Sequence, residues 1–383
     1  MNRRNFIKVV GAGTVAMVAL PHVTGLGDGV ELGELRPALD QSDIRMLLLS
    51  YAMLAPNPHN TQAWKVHLMD KNTLRLFVDE TRLLPETDPI YRQIHVGQGC
   101  FIENLVIAAT QFSIRAEVEY FPQGSYDNQS LANLPVADIR LVADESVTPS
   151  PLFKLLTTRQ SNKTVYGKTP LPTETLAQLT SAIAMAGFGL DMIDAPSQRQ
   201  QMEQFLVKAM EIEESKSTRT LETISMFRFN DEEFQQYRDG FGLPQNGING
   251  IKRVIAESFF LSRESAEKDP VAFGKESVKT VKKVVLDNPH YALLISDDNS
   301  RLSQVKAGRM YCRLNLVASR LGVSIHPMSQ ILQEYEAMLP LQAEFKRAYG
   351  VAKSQTVQML FRVGKADPTP PAPRRDANDI VVA

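Results

Sequence analysis

The sequence predicts an α+β protein in which two α/β halves of one plan, related by a pseudo-two-fold, are joined in a single chain of 383 residues. Three observations predict it. An apolar helical stripe, Phe101, Leu105, Ala108 and Phe112 behind Gly99, recurs at a constant offset of 209 as Met310, Leu314, Val317 and Leu321 behind Gly308. Alternating runs at Lys65 to Met69, Thr73 to Val78, Ala116 to Phe121 and Val136 to Val142 read as strands flanking the first stripe. Ala52-Met53, near the end of the opening helix, has a counterpart in Ala184-Met185 at an offset of 132, so the second half carries about 77 additional residues, between about Asp191 and Asn288. The expected organisation is a leader over 1–25, a first half over 26–150 and a second half over 151–383, with a helical insertion at about 191–288.

In order, Ile44, Leu47, Leu48, Tyr51 and Leu54 recur at helical spacing behind a Ser42 cap, and Pro56 stops the helix after Ala55. A second helix starts at Gly99, and the second copy's opening helix begins near Thr173. The insertion is charged and helix-rich, and its glycine-bearing segments Asp239 to Gly242 and Asn246 to Gly250 read as joints. A lid over a site and a solvated packing arm both explain those letters. Val357 to Val363 reads as the last long strand, and Pro370, Pro371 and Pro373 hold the tail extended, to lie across the other half.

Composition narrows the function classes. Apolar residues make up 43% of the chain, and 42 basic against 43 acidic residues leave a formal charge of −1, so neither nucleic acid nor an anionic membrane surface is implied as a partner. Two cysteines, Cys100 and Cys312, are too few for a thiolate zinc cluster, and both sit in apolar helical patterns that suit buried free thiols. Neither His59 nor His326 has a His or carboxylate at metal-ligand spacing, and neither a G-x-G-x-x-G turn nor a G-x-S-x-G elbow occurs. At the N-terminus, Asn2-Arg3-Arg4-Asn5-Phe6-Ile7-Lys8 precedes an uncharged run from Val9 to Leu20, too short to span a membrane. It resembles a twin-arginine signal, which implies export of the folded protein to the periplasm by the twin-arginine machinery.

Two motifs carry chemistry. Ala55-Pro56-Asn57-Pro58-His59-Asn60-Thr61-Gln62-Ala63-Trp64 follows the opening helix with a rigid Pro-x-Pro and amide side chains able to donate to and accept from the edge of a planar ligand. A plain polar turn explains it equally. Arg159-Gln160-Ser161-Asn162-Lys163 puts a guanidinium, a hydroxyl and an ammonium at alternating positions, which an extended segment aims one way, as a phosphate requires. A solvated basic loop is the other reading. Arg374 and Arg375 in the tail are further phosphate candidates.

Together these motifs, the Leu321-Gly322-Val323 helix end and the final Arg362-Val363-Gly364 resemble the nitroreductase superfamily of FMN proteins over roughly residues 35 to 375. The resemblance is greatest to the branch with two fused halves, the Acg family. It implies that Arg159, Ser161, Asn162 and Lys163 hold the FMN phosphate, that Pro56, Asn57, His59, Asn60 and Gln62 line the ring and ribityl chain, and that Pro327, Met328, Ser329 and Gln330 lie in the segment whose backbone N–H faces flavin N5. Asn57-Pro58-His59 and Ala63 depart from the family's commoner residues. At an offset of 132 the counterpart of Arg159 is Gly27 and that of Pro56 is Phe188, so each half keeps only one motif and a single FMN per chain is expected. The function implied is two-electron transfer from a small-molecule donor to an electron-poor acceptor, a nitroaromatic or quinone. The rival reading is a flavin-sequestering protein whose insertion covers the ring.

Overall fold

The computed structural model describes residues 31–183, 185–259 and 261–382. The leader, Gly27 and Ala184 lie outside them. Helix α1 (Ile44–Ala52) is capped by Asp43 rather than Ser42, through a carboxylate that accepts from the Arg45 N–H. It ends at Ala52, and Met53 to Ala55 continue as turns, which leaves their carbonyls pointing past the helix end without intrahelical donors.

Strands β1 (Trp64–Leu68) and β2 (Thr73–Val78) form a hairpin in register Trp64↔Val78 to Leu68↔Leu74, followed by helix α2 (Arg92–Thr110), β3 (Ile114–Tyr120) and β4 (Ala137–Ala143). The second half opens with α3 (Thr173–Ser181) and β5 (Phe188–Ile193). Its insertion then runs through α4 (Pro196–Glu213), α5 (Ser217–Met226), β6 (Phe227–Arg228), α6 (Asp231–Tyr237), β7 (Phe241–Gly242), α7 (Gly250–Phe259), α8 (Arg263–Lys268) and α9 (Pro270–Val285). After it come β8 (His290–Ser296), α10 (Arg301–Arg320), β9 (Ser324–Pro327), α11 (Leu339–Ala348), β10 (Thr356–Gly364) and β11 (Val381–Val382). Asp191 belongs to β5, so the excursion starts after Ile193.

The two main sheets have orders β11-β1-β2-β4-β3 and β5-β8-β10-β9. Without β11 the orders correspond strand for strand. Helices α1 and α3 are both nine residues long and are separated by 129 positions, so the register between them differs by three from the offset of 132. As the proline-held tail implies, the chain's last strand crosses to the first half and pairs in parallel with β1, Val66↔Val381.

One crossing organises the core. Gly99 is not the start of α2 but its middle, where α10 passes so closely that a Cβ on Gly99 would lie 1.8 Å from the Val305 carbonyl oxygen, and one on Gly308 would lie 2.0 Å from that of Val96. The contacts are reciprocal at the offset of 209. Around this point Phe101, Leu105, Leu314 and Ala318 are fully buried in one apolar cluster that draws on both halves. Cys100 and Cys312 are buried free thiols there, donating to Gly308 O and Asn104 Oδ1. A second cluster joins insertion residues Phe205 and Val284 to Phe345 and Leu360. Among the described residues no helix is long and apolar enough to cross a membrane.

Because the atoms that meet a new methyl group are backbone on a packed helix, Gly99→Ala should cost about 3 kcal/mol or more of stability, at the upper end of overpacking effects. Urea unfolding of the pure variant checks this, and a change within about 0.5 kcal/mol would contradict the crossing as described.

Candidate functional site

The stretch after α1 folds back on itself. Asn57 Oδ1 accepts from the Gln62 N–H at 2.8 Å, its Nδ2 donates to Ala55 O, and Gly97 on α2 lies against Pro58 and Asn57. His59, Asn60 and Gln62 have φ of 47°, 56° and 54°. Three left-handed non-glycine residues in four positions are costly, and such strain persists where surrounding structure over-determines it, most often at functional sites. Buried polar atoms are left without partners in the same stretch: His59 Nδ1, Asn60 Oδ1 and Thr61 Oγ1. Burial, and then the charge of Lys163, lowers the His59 pKa to about 4, so its ring is neutral.

The Arg159 segment lies beside the end of α1. Arg159 is buried and donates from Nη2 to Leu54 O at 3.2 Å, while its Nε and Nη1 have no partner. Arg374, also buried, donates from Nε to Met53 O at 2.7 Å and from Nη2 to Ala55 O at 3.2 Å. The open carbonyls at the C-terminus of α1 thus hold two guanidiniums, where the helix dipole favours cations. Ser161 meets Tyr311, a ring that also lies in the field of Arg159. Lys163 stands apart, its ammonium 3.7 Å from the centroid of Phe241, and burial lowers its pKa to about 8. Burial, then the charge of Arg362 and that of Lys163, hold the His326 pKa well below its usual value, so its ring is neutral. The three alternating residues therefore do not converge on one point: Arg159 and Ser161 share a neighbourhood and Lys163 faces another.

The insertion reaches this site. Its Arg238-Asp239-Gly240-Phe241 strap is pinned by Asp239, buried against Arg228 and bound to Arg82 at 2.8 Å, so the segment is held rather than a loose joint. Asn60 Nδ2 donates to Gly240 O at 2.9 Å and Gln62 Nε2 to Arg238 O at 2.9 Å. Phe241 sits edge-on to His59, with centroids 5.7 Å apart, and takes Lys163 on its face. The tail closes the other side, since Gln62 Oε1 accepts from the Arg375 N–H and Gln62 O from Arg375 Nη2. Arg375 therefore belongs with the Pro56 to Gln62 stretch and Arg374 with Arg159. Two cavities, of about 210 and 370 Å³, open near the N-terminal ends of α2 and α10, and no motif residue lines either.

No family model matches the chain. Over 346 residues it is 24% identical to "Putative NAD(P)H nitroreductase Rv3131" of Mycobacterium tuberculosis, covering 87% of this chain and 90% of that protein. "Putative NAD(P)H nitroreductase acg" of the same organism is 24% identical over 348 residues, 88% of this chain and 95% of its own. The chain is similar to the nitroreductases. The crystal structure of "a putative nitroreductase from anabaena variabilis" aligns over 89% of this chain and 92% of its own, at 10% identity and a TM-score of 0.43.

Several of the residues expected at the site have partners within the chain. Asn162 bonds within its own loop, accepting from the Thr164 N–H and hydroxyl, and donates to Asp367 O, so it ties the loop to the tail. Pro327 has no N–H, and that of Met328 donates to Leu360 O at 2.8 Å with the side chain in the second core cluster. The Gln330 side chain is hydrogen-bonded to Glu213 of the insertion. Arg36, discussed below, is a functional candidate that sequence spacing missed, because a lone arginine before a proline carries no pattern.

Glu213 supplies a pH test of how the insertion is seated. It is buried, and burial followed by the adjacent Glu214 raises its carboxyl from 4.5 to about 8. Between those values the folded state holds the proton that the unfolded state has lost, so stability falls as pH rises through this window, by up to about 1.4 kcal/mol per unit. Glu213→Gln should remove that part of the slope. Urea unfolding of variant and wild type at pH 5 and pH 8 measures it, and parallel curves would refute the assignment.

Proposed function

We propose that this chain is an FMN-binding oxidoreductase of the nitroreductase type, passing two electrons from a small-molecule donor to an electron-poor acceptor such as a nitroaromatic or quinone. The observation that carries it is the set of buried guanidinium N–H groups without partners on Arg159, beside Arg374, facing no carboxylate among the described residues. A phosphate-bearing cofactor suits those donors. The strained Pro56 to Gln62 stretch beside them and the two mycobacterial relatives, each named "Putative NAD(P)H nitroreductase", support the same reading.

We take the halves to be fused copies related by a pseudo-two-fold, on the strength of the reciprocal Gly99 and Gly308 contacts and the matching strand orders. At the observed offset of 129, the counterpart of Arg159 is Val30, so one phosphate motif serves one site. Bound there, the flavin supplies the electron-carrying centre. The chain's part is to bind and position. Arg159 and Arg374 would hold the phosphate, Ser161 would reach it from the Tyr311 side, and Pro56, Asn57 and His59 would border the ring. Lys163, which has no carboxylate partner among the described residues, favours negative charge on a group placed next to it, and neutral His59 and His326 add no competing proton there.

The strap favours a second reading. Asn60 and Gln62, expected on the ring, are bonded to the insertion and tail, and Phe241 stands between His59 and Lys163. A chain that traps flavin under this strap would bind it without turnover. Purified protein should be yellow with an FMN spectrum; under anaerobic conditions a nicotinamide donor should bleach it and a nitroaromatic restore it. Folded protein that takes up no FMN defeats both readings. Bound FMN that bleaches only after Phe241→Ala supports trapping instead.

We propose export by the twin-arginine route, resting on Arg3, Arg4 and the following apolar run. Arg3→Lys with Arg4→Lys should retain the protein in the cytoplasm, as fractionation would read out; unchanged export would remove this reading.

A further inference from the structure

Arg36 has no role in the site as drawn so far, yet it lies inside it. Its Nη1 donates to Thr157 O at 2.7 Å, its own carbonyl accepts from Arg238 Nη2 at 3.1 Å, and the neighbouring Leu35 carbonyl accepts from the Arg374 N–H at 2.7 Å. The segment ahead of α1 is thereby laid between the Arg159 loop, the tail and the insertion strap. Arg36 Nε, Arg159 Nε and Arg159 Nη1 are all buried without an acceptor. Their existing bonds go to main-chain carbonyls, which offset a guanidinium's charge only in part.

The charges act on one another. Burial and then Arg159 lower the Arg36 pKa to about 10, and Arg374 is pushed well below its usual range by burial, by Arg36 and by Arg159. No carboxylate figures among those influences, and among the described residues none of the three arginines is in an ion pair. Two buried guanidiniums and the half-buried Arg36 beside them, with N–H groups of Arg36 and Arg159 lacking acceptors, are unfavourable until an anion joins them. A dianion with several acceptor oxygens matches what is missing, because planar guanidiniums bind phosphate oxygens through paired N–H groups.

We infer that Arg36, Arg159 and Arg374 form one three-guanidinium site for a phosphomonoester dianion, with Arg36 contributed by the segment before the first helix. The inference deepens the flavin reading, since the FMN phosphate is the resident ligand it names, but its chemistry is shared by free phosphate. Binding also joins the N-terminal segment, the Arg159 loop and the tail through a common counter-charge.

The test is thermal unfolding of the full chain in inorganic phosphate at pH 8 against chloride of equal ionic strength, for wild type and Arg36→Gln. Phosphate should raise the wild-type midpoint and chloride should not; the variant should lose more than half of that rise, with phosphate affinity about tenfold weaker. No phosphate-specific rise in the wild type overturns the site, and an undiminished rise in the variant removes Arg36 from it. If Arg36→Gln does not fold, Arg36→Lys keeps the charge without the planar fork and should still weaken the phosphate response; an undiminished response removes Arg36 likewise. FMN and riboflavin titrations separate this inference from the flavin reading. FMN bound no more tightly than riboflavin overturns the anion site and leaves the flavin, whereas a phosphate response with neither flavin bound keeps the site and overturns the flavin.

Discussion

The close passage of α2 over α10 is the constraint on which the rest of the structure depends. With glycine at both points of contact, each helix brings its backbone against the other's, and the side chains on either side must accommodate the distance this sets. Polar groups as well as apolar ones are committed there. Glu103, fully buried, reaches across the crossing to Arg309 and Arg313, so a charge is placed in the interior only together with its counter-charges. The motif after α1 leans on α2 two residues before Gly99, and Arg159 lies close enough to act on Cys100 and Cys312. The candidate site is thus assembled on the seam that the two glycines create.

Much of this was legible in the residues, for definite reasons. The stripe and its repeat could be read because an apolar helix face has a fixed period, and β1 and β2 could be read because half-buried strands alternate. The start of α2 could not. The helix was expected only from Gly99, because the residues before it are largely polar, yet Arg92 is buried and donates to Leu332 O and Gln358 O, and Gln98 to Ala63 O. Those acceptors are up to 266 positions away, so no local window reveals them. The cap at Asp43 rather than Ser42 was a choice between adjacent good cappers, settled by which carboxylate or hydroxyl met the Arg45 N–H.

The site divides in the same way. Residue types in the two motifs pointed to a phosphate and a planar ring, and the fold brings both motifs to the end of α1. Spacing carries no information on the partners that each side chain finds within the fold. Asn162 spends its amide on its own loop, Met328 on the sheet and core, Asn60 and Gln62 on the insertion and tail. Arg36 shows the converse, a residue outside any motif that the fold sets beside the Arg159 loop, the tail and the strap.

The return of the tail to the first half has a consequence for how the molecule comes into being. Strand β11 completes the sheet of the half made first, and Arg374 and Arg375 reach carbonyls of residues synthesised some three hundred positions earlier. A nascent chain stopped anywhere before the tail has the ring stretch and the Arg159 loop but lacks the piece that closes one upon the other. The contacts that close the first sheet and the end of α1 therefore form only once the tail has been made, and a shorter nascent chain lacks them.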